Sequence, residues 1–450
     1  MRLDDDYPRV LVVGAKPFSR STNEGITLSN LFQGWPVDRL AQVHTVEGVR
    51  SADVCASFYH FGLRNFPVDH ALRRVLGAVG GPTGAVAASG GTAAARRGST
   101  SRLMTQLRAA ADLTPSRFPD DLAPWLRRHR PDLVYSLLGS VRVNRLAVRI
   151  ARDLGVPLVP HFMDDWPSTN YGSGELFGLA RASLLRTLRA AMRMAPRGMC
   201  ISQPMADEYQ RQYGIPFGAF ANCVDDTAFA DGPPDDTGRP SSWPVELVYV
   251  GGLHLGRWQT LARIAEVLDR SAQEEPPVLR LTVYAPEHDL SQFREAFGGR
   301  RSVRLDRWLH SDEVPKVLHT ADVLVHVESF APAHRRYTRL SLSTKIPQYL
   351  AAGRPILGFG PAEVASMRHI ADAQAGVVVG KDDPEPLSRA LRQLRDAGLR
   401  HTWGRNGLDH ARRHHRRETL SRRFAEFLGE ASGTGAGAGK DPTDREGHDG

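Results

Sequence analysis

Short apolar runs that end at glycine or proline recur along this chain, and most lead into a stretch with helical spacing. Arg9-Val10-Leu11-Val12-Val13-Gly14 reads as a buried strand, followed by a polar loop over 17–25 and a helix over 26–32. A second strand over 132–138 follows Arg130-Pro131. Residues 142–154 then read as a helix ended by Gly155, and 156–161 as the next strand. Continuous apolar strands alternating with helices predict a parallel sheet covered on both faces. The second half repeats the order: a strand over 245–250 runs into Gly251-Gly252, a helix covers 258–269, and strands cover 279–284, 323–327 and 356–359. Two strand–glycine–helix openings, at Gly14 and Gly251, therefore predict two similar α/β halves. Ligands would sit at the carboxyl ends of both sheets, in a cleft.

At 450 residues the chain exceeds one ordinary core, which fits two domains. The expected division is a first domain over 1–230, a linker over 231–243 with prolines and aspartates, and a second domain over 244–405. A helix over 406–430 and a disordered tail over 431–450, made of Gly, Ala, Ser and charged residues, complete it. Residues 80–101, rich in Gly, Ala, Ser and Thr without periodicity, read as a flexible surface insertion. An apolar share of 41% and a charged share of 24% are normal for a globular enzyme. Cys55, Cys200 and Cys223 are odd in number, scattered and without metal-ligand spacing, which suits a reducing compartment. Met1-Arg2-Leu3-Asp4-Asp5-Asp6 is acidic and lacks the apolar core of a signal peptide, and arginines interrupt every candidate spanning stretch. The expected location is cytoplasmic. The net charge of +8 rests almost wholly on arginine and fits anionic substrates, an anionic membrane surface or a GC-rich coding background. Basic–aromatic motifs for nucleic acid are absent, which argues against such a partner.

Candidate chemistry gathers at strand ends. In the segment from Ser341 to Gly358, a polar loop leads into a short helix with Ser343 or Thr344 as cap, Pro347 in its first turn and Gly353 as its stop. Free N–H groups at the helix start, with Lys345 beside them, would hold an anion. Thr344, Gln348 and Ala352 share one face, so Gln348 would touch a ligand held there. An ordinary loop–helix–strand unit with a solvated lysine explains the segment equally well. Gly251 and Gly252 let backbone approach a phosphate, and Arg257 could grip it in bidentate fashion. Glu328, closing the strand over 323–327, would reach the same pocket or pair with Arg335 or Arg336.

In the first half, His161 ends a strand, and Asp164 and Asp165 follow it; together they form a candidate base or hydrogen-bonding cluster in the cleft. The alternative is a loop in which Asp165 caps the next turn and His161 is simply hydrogen-bonded. In the loop over 19–25, Gly25 permits close approach while Asn23 and Thr27 offer polar contacts, although an ordinary βα turn would contain the same residues. Over 176–197, Arg181, Arg186, Arg189, Arg193 and Arg197 form one stripe opposite Leu184, Leu185, Leu188 and Met192. Such a helix can lie on an anionic bilayer, or it can be a core helix with a solvated charged side.

The segment from Ser341 to Leu357, the turn at Gly251-Gly252, the pair Ile201-Ser202 and the turn Asn222-Cys223-Val224-Asp225 resemble the retaining glycosyltransferases of family 4, and the likeness runs from Val10 to about Leu428. The resemblance implies a GT-B fold: two Rossmann-like parallel-sheet domains, acceptor-side first and nucleotide-sugar-binding second, facing a central cleft, with the helix over 406–430 packing back across it. It also implies transfer of a hexose-type sugar from a nucleotide-diphosphate donor to a hydroxyl acceptor (polysaccharide, lipid-linked or natural product), with retention and without metal or cofactor. Carried onto this sequence, it assigns donor binding to Gly251, Gly252, Arg257, Ser343, Thr344, Lys345 and Gln348, with Glu328 added as a candidate by its place at a strand end. Asn23, Gly25 and Thr27 would form the first-domain loop, and His161, with Asp164 and Asp165, would act on the acceptor side. The sequence departs from the family at four donor-site positions. Gln348 and Leu340 stand where a pair of glutamates is usual, Gly252 stands where an arginine is usual, and Arg257 replaces a lysine. These departures keep two rivals open, a sugar-nucleotide epimerase of the same fold and a non-catalytic partner subunit.

Overall fold

The computed structural model describes residues 7–19, 23–71, 99–233, 244–271 and 278–433. The acidic start, residues 20–22 of the first loop, and most of the expected insertion, linker and tail lie outside the described residues. Numbered among the described residues, the first half runs β1 (Val10–Gly14), α1 (Asn23–Leu31), β2 (Leu40–His44), β3 (Ser57–His60), α2 (Ser99–Leu113), α3 (Leu122–His129), β4 (Leu133–Ser136) and α4 (Val141–Leu154). It continues with β5 (Leu158–Phe162), α5 (Trp166–Thr169), α6 (Leu179–Met192), β6 (Gly198–Cys200), α7 (Gln203–Tyr213) and β7 (Phe217–Ala219). The second half has β8 (Val245–Val250), α8 (Arg257–Ser271), β9 (Leu279–Tyr284), α9 (Glu287–Phe293), β10 (Val303–Asp306), α10 (Val314–Thr320), β11 (Val323–Val327) and α11 (Pro332–Thr338). Then come α12 (Ile346–Ala351), β12 (Ile356–Phe359), α13 (Ala365–Asp372), β13 (Gly376–Val379), α14 (Pro384–Gln393), α15 (Ala397–His414) and α16 (Arg417–Ser432).

The strands form two parallel sheets, seven strands in the order β3-β2-β1-β4-β5-β6-β7 and six in the order β10-β9-β8-β11-β12-β13. Val10 of β1 lies opposite Leu40 on one side and Leu133 on the other, so the strand order turns there, as it does at β8 between β9 and β11. A crevice opens at such a switch point, beyond the carboxyl ends of the strands. That is where the Gly14 and Gly251 turns lie.

Local signals set many boundaries. Ser140 caps α4 through its side chain, and Gly155, at φ 68°, ends it. Other expectations shift. The first helix begins at Asn23, so Gly25 and Thr27 are buried in α1 rather than in a loop. Residues 99–101, read as flexible, open α2. The helix expected over 176–197 shrinks to α6, because Leu176 and Phe177 take left-handed φ values of 50° and 55° just before it.

One apolar cluster is continuous between the halves and joins Leu138, Ile201 and Val224 to Leu340, Leu342, Ile346 and Tyr349. At the end of the chain, α16 returns to the first sheet. There Phe424 is fully buried and meets the rings of Phe32, Trp35, Tyr135 and Phe220 edge-on.

Candidate functional site

Tyr349 fixes α12 against β8. Its hydroxyl accepts from the Val250 amide at 3.2 Å, and Lys345, one turn earlier on the same face, is thereby aimed at the end of that strand. A Cβ on Gly251 would fall on Lys345 Nζ, so this glycine is what leaves room for the ammonium. The Nζ lies 5.4 Å from the Tyr249 ring centroid. Among the described residues, no carboxylate is in ion-pair contact with it. Burial and the neighbouring Arg257 push the Lys345 pKa down to about 7, with Glu328 opposing them.

Arg257 opens α8 and donates through Nη2 to Glu328 Oε1 at 3.2 Å. Of the two readings of Glu328, reaching the donor pocket or pairing with Arg335 or Arg336, the second does not hold for Arg335, which pairs with Glu363. Glu328 is buried just beyond β11, with His326 Nε2 3.2 Å from the same oxygen. Burial alone would raise its pKa, but Arg257 and His326 outweigh that and hold it down at about 2. Glu328 therefore stays ionised and fixes the guanidinium. The turn itself is braced from below, Tyr249 donating to the Gly252 carbonyl and Asp289 accepting from the Leu253 amide, both at 2.7 Å.

Asp164 comes from the other domain, just after β5. Burial raises its pKa to about 6 against the pull of the Ser341 and Tyr337 hydroxyls and of Arg257. An acid from the first domain thus meets the cationic turn of the second. Close by, Ser202 donates across the same junction to the Leu340 carbonyl at 2.6 Å.

Several expected site residues lie elsewhere or act otherwise. His161 is fully buried, its Nδ1 2.5 Å from the Tyr135 hydroxyl, and burial lowers its pKa to about 3. It is a neutral core histidine, cut off from solvent, and not a base in the cleft. Asp165 is buried too and accepts from Ser168 and Tyr209, both at 2.7 Å, so it ties α5 to α7. Neither Ser343 nor Thr344 caps α12. Lys345 is the cap residue and makes no side-chain capping bond, while the Ser343 amide donates to Ser366 Oγ at 3.0 Å. Thr344 and Gln348 are exposed while Ala352 turns inward. Leu340, where the family has a glutamate, is buried among apolar side chains. Gly25 and Thr27 are buried within α1; the Asn23 side chain lies outside the described residues.

The residues that brace the site, Tyr249, Tyr349, Asp289, His326 and Tyr337, went unread. For His326 a signal exists: it precedes Glu328 by two on one strand, so both side chains share a face. Nothing local marks the others.

The comparisons come from both halves of the chain. Residues 86–227 match the family described as Glycosyltransferase Family 4, and residues 244–396 match Glycosyl transferases group 1. Among solved structures, HepE from Anabaena, in complex with UDP, is 14% identical with a TM-score of 0.61, the match covering 94% of this chain and 100% of HepE. WaaG, a glycosyltransferase involved in lipopolysaccharide biosynthesis, is 15% identical with a TM-score of 0.54, covering 93% and 99%. The α,α-trehalose 6-phosphate synthase from Burkholderia multivorans is 12% identical with a TM-score of 0.55, covering 97% and 100%. No curated protein matches. At these identities the likeness is one of fold.

Proposed function

The chain belongs to the glycosyltransferases of family 4 and group 1, with the GT-B fold, and from that premise we propose that it moves a hexose-type sugar from a nucleotide-diphosphate donor to a hydroxyl acceptor with retention. The observation that carries this reading is the convergence of Arg257 and Lys345 on the Gly251-Gly252 turn, opposite Asp164. A departing diphosphate carries concentrated negative charge, and two preorganised cations in a partly dry site stabilise it most where that charge develops. With both in place, the reading needs no metal at the diphosphate. Glu328 holds Arg257 rather than touching the sugar. Exposed Gln348 is suited to hydrogen-bond the ribose hydroxyls as an amide. The bond from the anomeric carbon to phosphate oxygen breaks and the bond to the acceptor oxygen forms on the same face, the acceptor proton passing to the leaving phosphate. Asp164, at the mouth of this site, accepts a hydrogen bond from a sugar or acceptor hydroxyl.

Uridine is the first base to test, since HepE, of like fold, binds UDP and UDP-glucose. The test is thermal stabilisation by UDP, GDP and dTDP, because a ligand that binds only the folded chain must raise Tm. UDP should stabilise the protein, and Arg257→Ala and Lys345→Ala should each weaken binding tenfold or more. If no nucleotide stabilises the folded protein, a non-catalytic partner subunit becomes the better reading. Release of free sugar and nucleotide diphosphate without acceptor would point to the epimerase.

A lipid-linked acceptor at an anionic membrane surface is favoured by one patch. Leu103, Met104 and Leu107 of α2 are exposed, as are Phe177 and Leu179, and the turn carrying Phe177 packs on α2. A groove of about 380 Å³ between α4 and α6, the helix that carries Leu179, is lined by Arg145, Arg149, Arg152 and Arg186. Apolar side chains beside a basic groove suit peripheral contact with anionic lipid. No helix among the described residues is long and apolar enough to cross a membrane.

A further inference from the structure

Away from the donor site, three histidines meet where the chain leaves the second domain for the first. His369 lies on α13, His410 on α15, and His415 just after α15. One ring nitrogen from each lies within 4.8 Å of the others. The Nε2 atoms of His369 and His415 are 2.9 Å apart, and the ring centroids of His369 and His410 are 4.9 Å apart at 89°. His415 is only 2% exposed.

As plain hydrogen-bonding groups these rings do not satisfy one another. Each neutral imidazole has one N–H and one lone pair. The His369–His415 contact uses one of each, and the buried Nε2 of His410 is left without a partner. A cation at the centre would satisfy all three lone pairs at once. Tetrahedral zinc with nitrogen ligands at 2.0–2.1 Å sets its ligand nitrogens about 3.3 Å apart, so small side-chain adjustments suffice. Three imidazoles are a donor set for zinc, copper or nickel rather than for magnesium or calcium. The other charged or titratable groups facing the cluster are Asp372, Arg413 and His414, and Asp372 favours a cation.

We propose that His369, His410 and His415 form a binding site for a divalent transition metal of the zinc type, with the fourth position open to water. Its position assigns it a structural role. The His415 carbonyl accepts from the Val224 amide at 2.8 Å, Val224 pairs with Arg416, and Arg416 and Arg417 form ion pairs with Asp226 and Asp225 of the first domain. A metal there would tie α13 of the second domain to the crossover and stiffen the junction between domains. The inference does not depend on the sugar-transfer reading.

The test uses tag-free, chelator-treated full chain, titrated with Co²⁺ and Zn²⁺. One Co²⁺ per chain should bind with the intense visible absorption of tetrahedral nitrogen coordination, and Zn²⁺ should displace it and raise Tm. His410→Gln should weaken binding at least tenfold. His410 makes no protein hydrogen bond through its buried Nε2, so this variant should fold even where His415→Gln does not. His401→Gln, nine residues before His410 on α15, should bind as wild type. Absence of the cobalt spectrum and of zinc stabilisation would overturn the proposal, as would unchanged affinity in both His369→Gln and His410→Gln.

Discussion

At the scale of single residues, Lys345 and Asp164 carry the functional pH dependence. With its pKa pushed down to about 7, Lys345 is largely neutral in the free protein above that pH, whereas a bound diphosphate restores its charge. Binding of UDP should therefore take up about half a proton at pH 7 and close to one at pH 8 to 9, and should weaken by up to about tenfold per pH unit there. Calorimetry in buffers of different ionisation enthalpy measures the uptake, and Lys345→Met should abolish it. Asp164 works in the other sense. Its folded pKa, raised to about 6 from 3.8, means the folded chain binds more protons than the unfolded one between those values. Its contribution to stability should fall as pH rises from about 4 to 6, by at most about 3 kcal/mol, while buried histidines with lowered pKa values contribute in the opposite sense. In urea unfolding the stability of wild type relative to Asp164→Asn should therefore decline across that range, and the same substitution should lower transfer. None of this is visible in sequence. Lys345 and Asp164 stand out as candidates by residue type and position, but their shifts arise from burial and from Arg257, neighbours that chain order does not reveal. His161 is the converse case, a promising residue type that the fold turns into a core group.

At the scale of elements, the Gly251-Gly252 turn separates function from stability. Gly251→Ala places a methyl group on Lys345 Nζ, the free end of a flexible side chain, so the fold can accommodate it but the ammonium is displaced. Near-wild-type Tm with at least tenfold weaker UDP binding is the expected result, and equal binding would show that Lys345 does not serve the donor site. The segment from Phe177 to Leu179 gives a second element-level prediction. Burying one such side chain contributes about 1.5–3 kcal/mol. Phe177→Ser with Leu179→Ser should then cut co-sedimentation with phosphatidylglycerol-containing vesicles at least tenfold. Wild-type protein that ignores these vesicles would remove the membrane reading. The left-handed residues 176 and 177 that expose this segment give no sign in the helical pattern around them, which is why the helix was expected to begin earlier.

At the scale of the whole molecule, α16 joins the halves. Phe424 is fully buried against rings of the first domain, although the helix follows the second. Phe424→Ala should cost about 3–5 kcal/mol, read as a lower denaturant midpoint, and should loosen α16 to hydrogen exchange before the sheets.

By itself the sequence determined the repeated strand–glycine–helix order, most of the central strands and the placing of candidate chemistry at their ends. Those signals are local: apolar periodicity, caps and glycine stops act within one or two turns of chain. The edge strands β3 and β10 were not legible, because half-exposed strands lack a continuous apolar run. Only the tertiary structure decided that Asp164 lies within the field of Arg257, that Glu328 serves Arg257 rather than Arg335, and that His369 meets His410 and His415. Desolvation and Coulomb interaction depend on distance through space, and that distance is set by how two sheets and a returning helix pack.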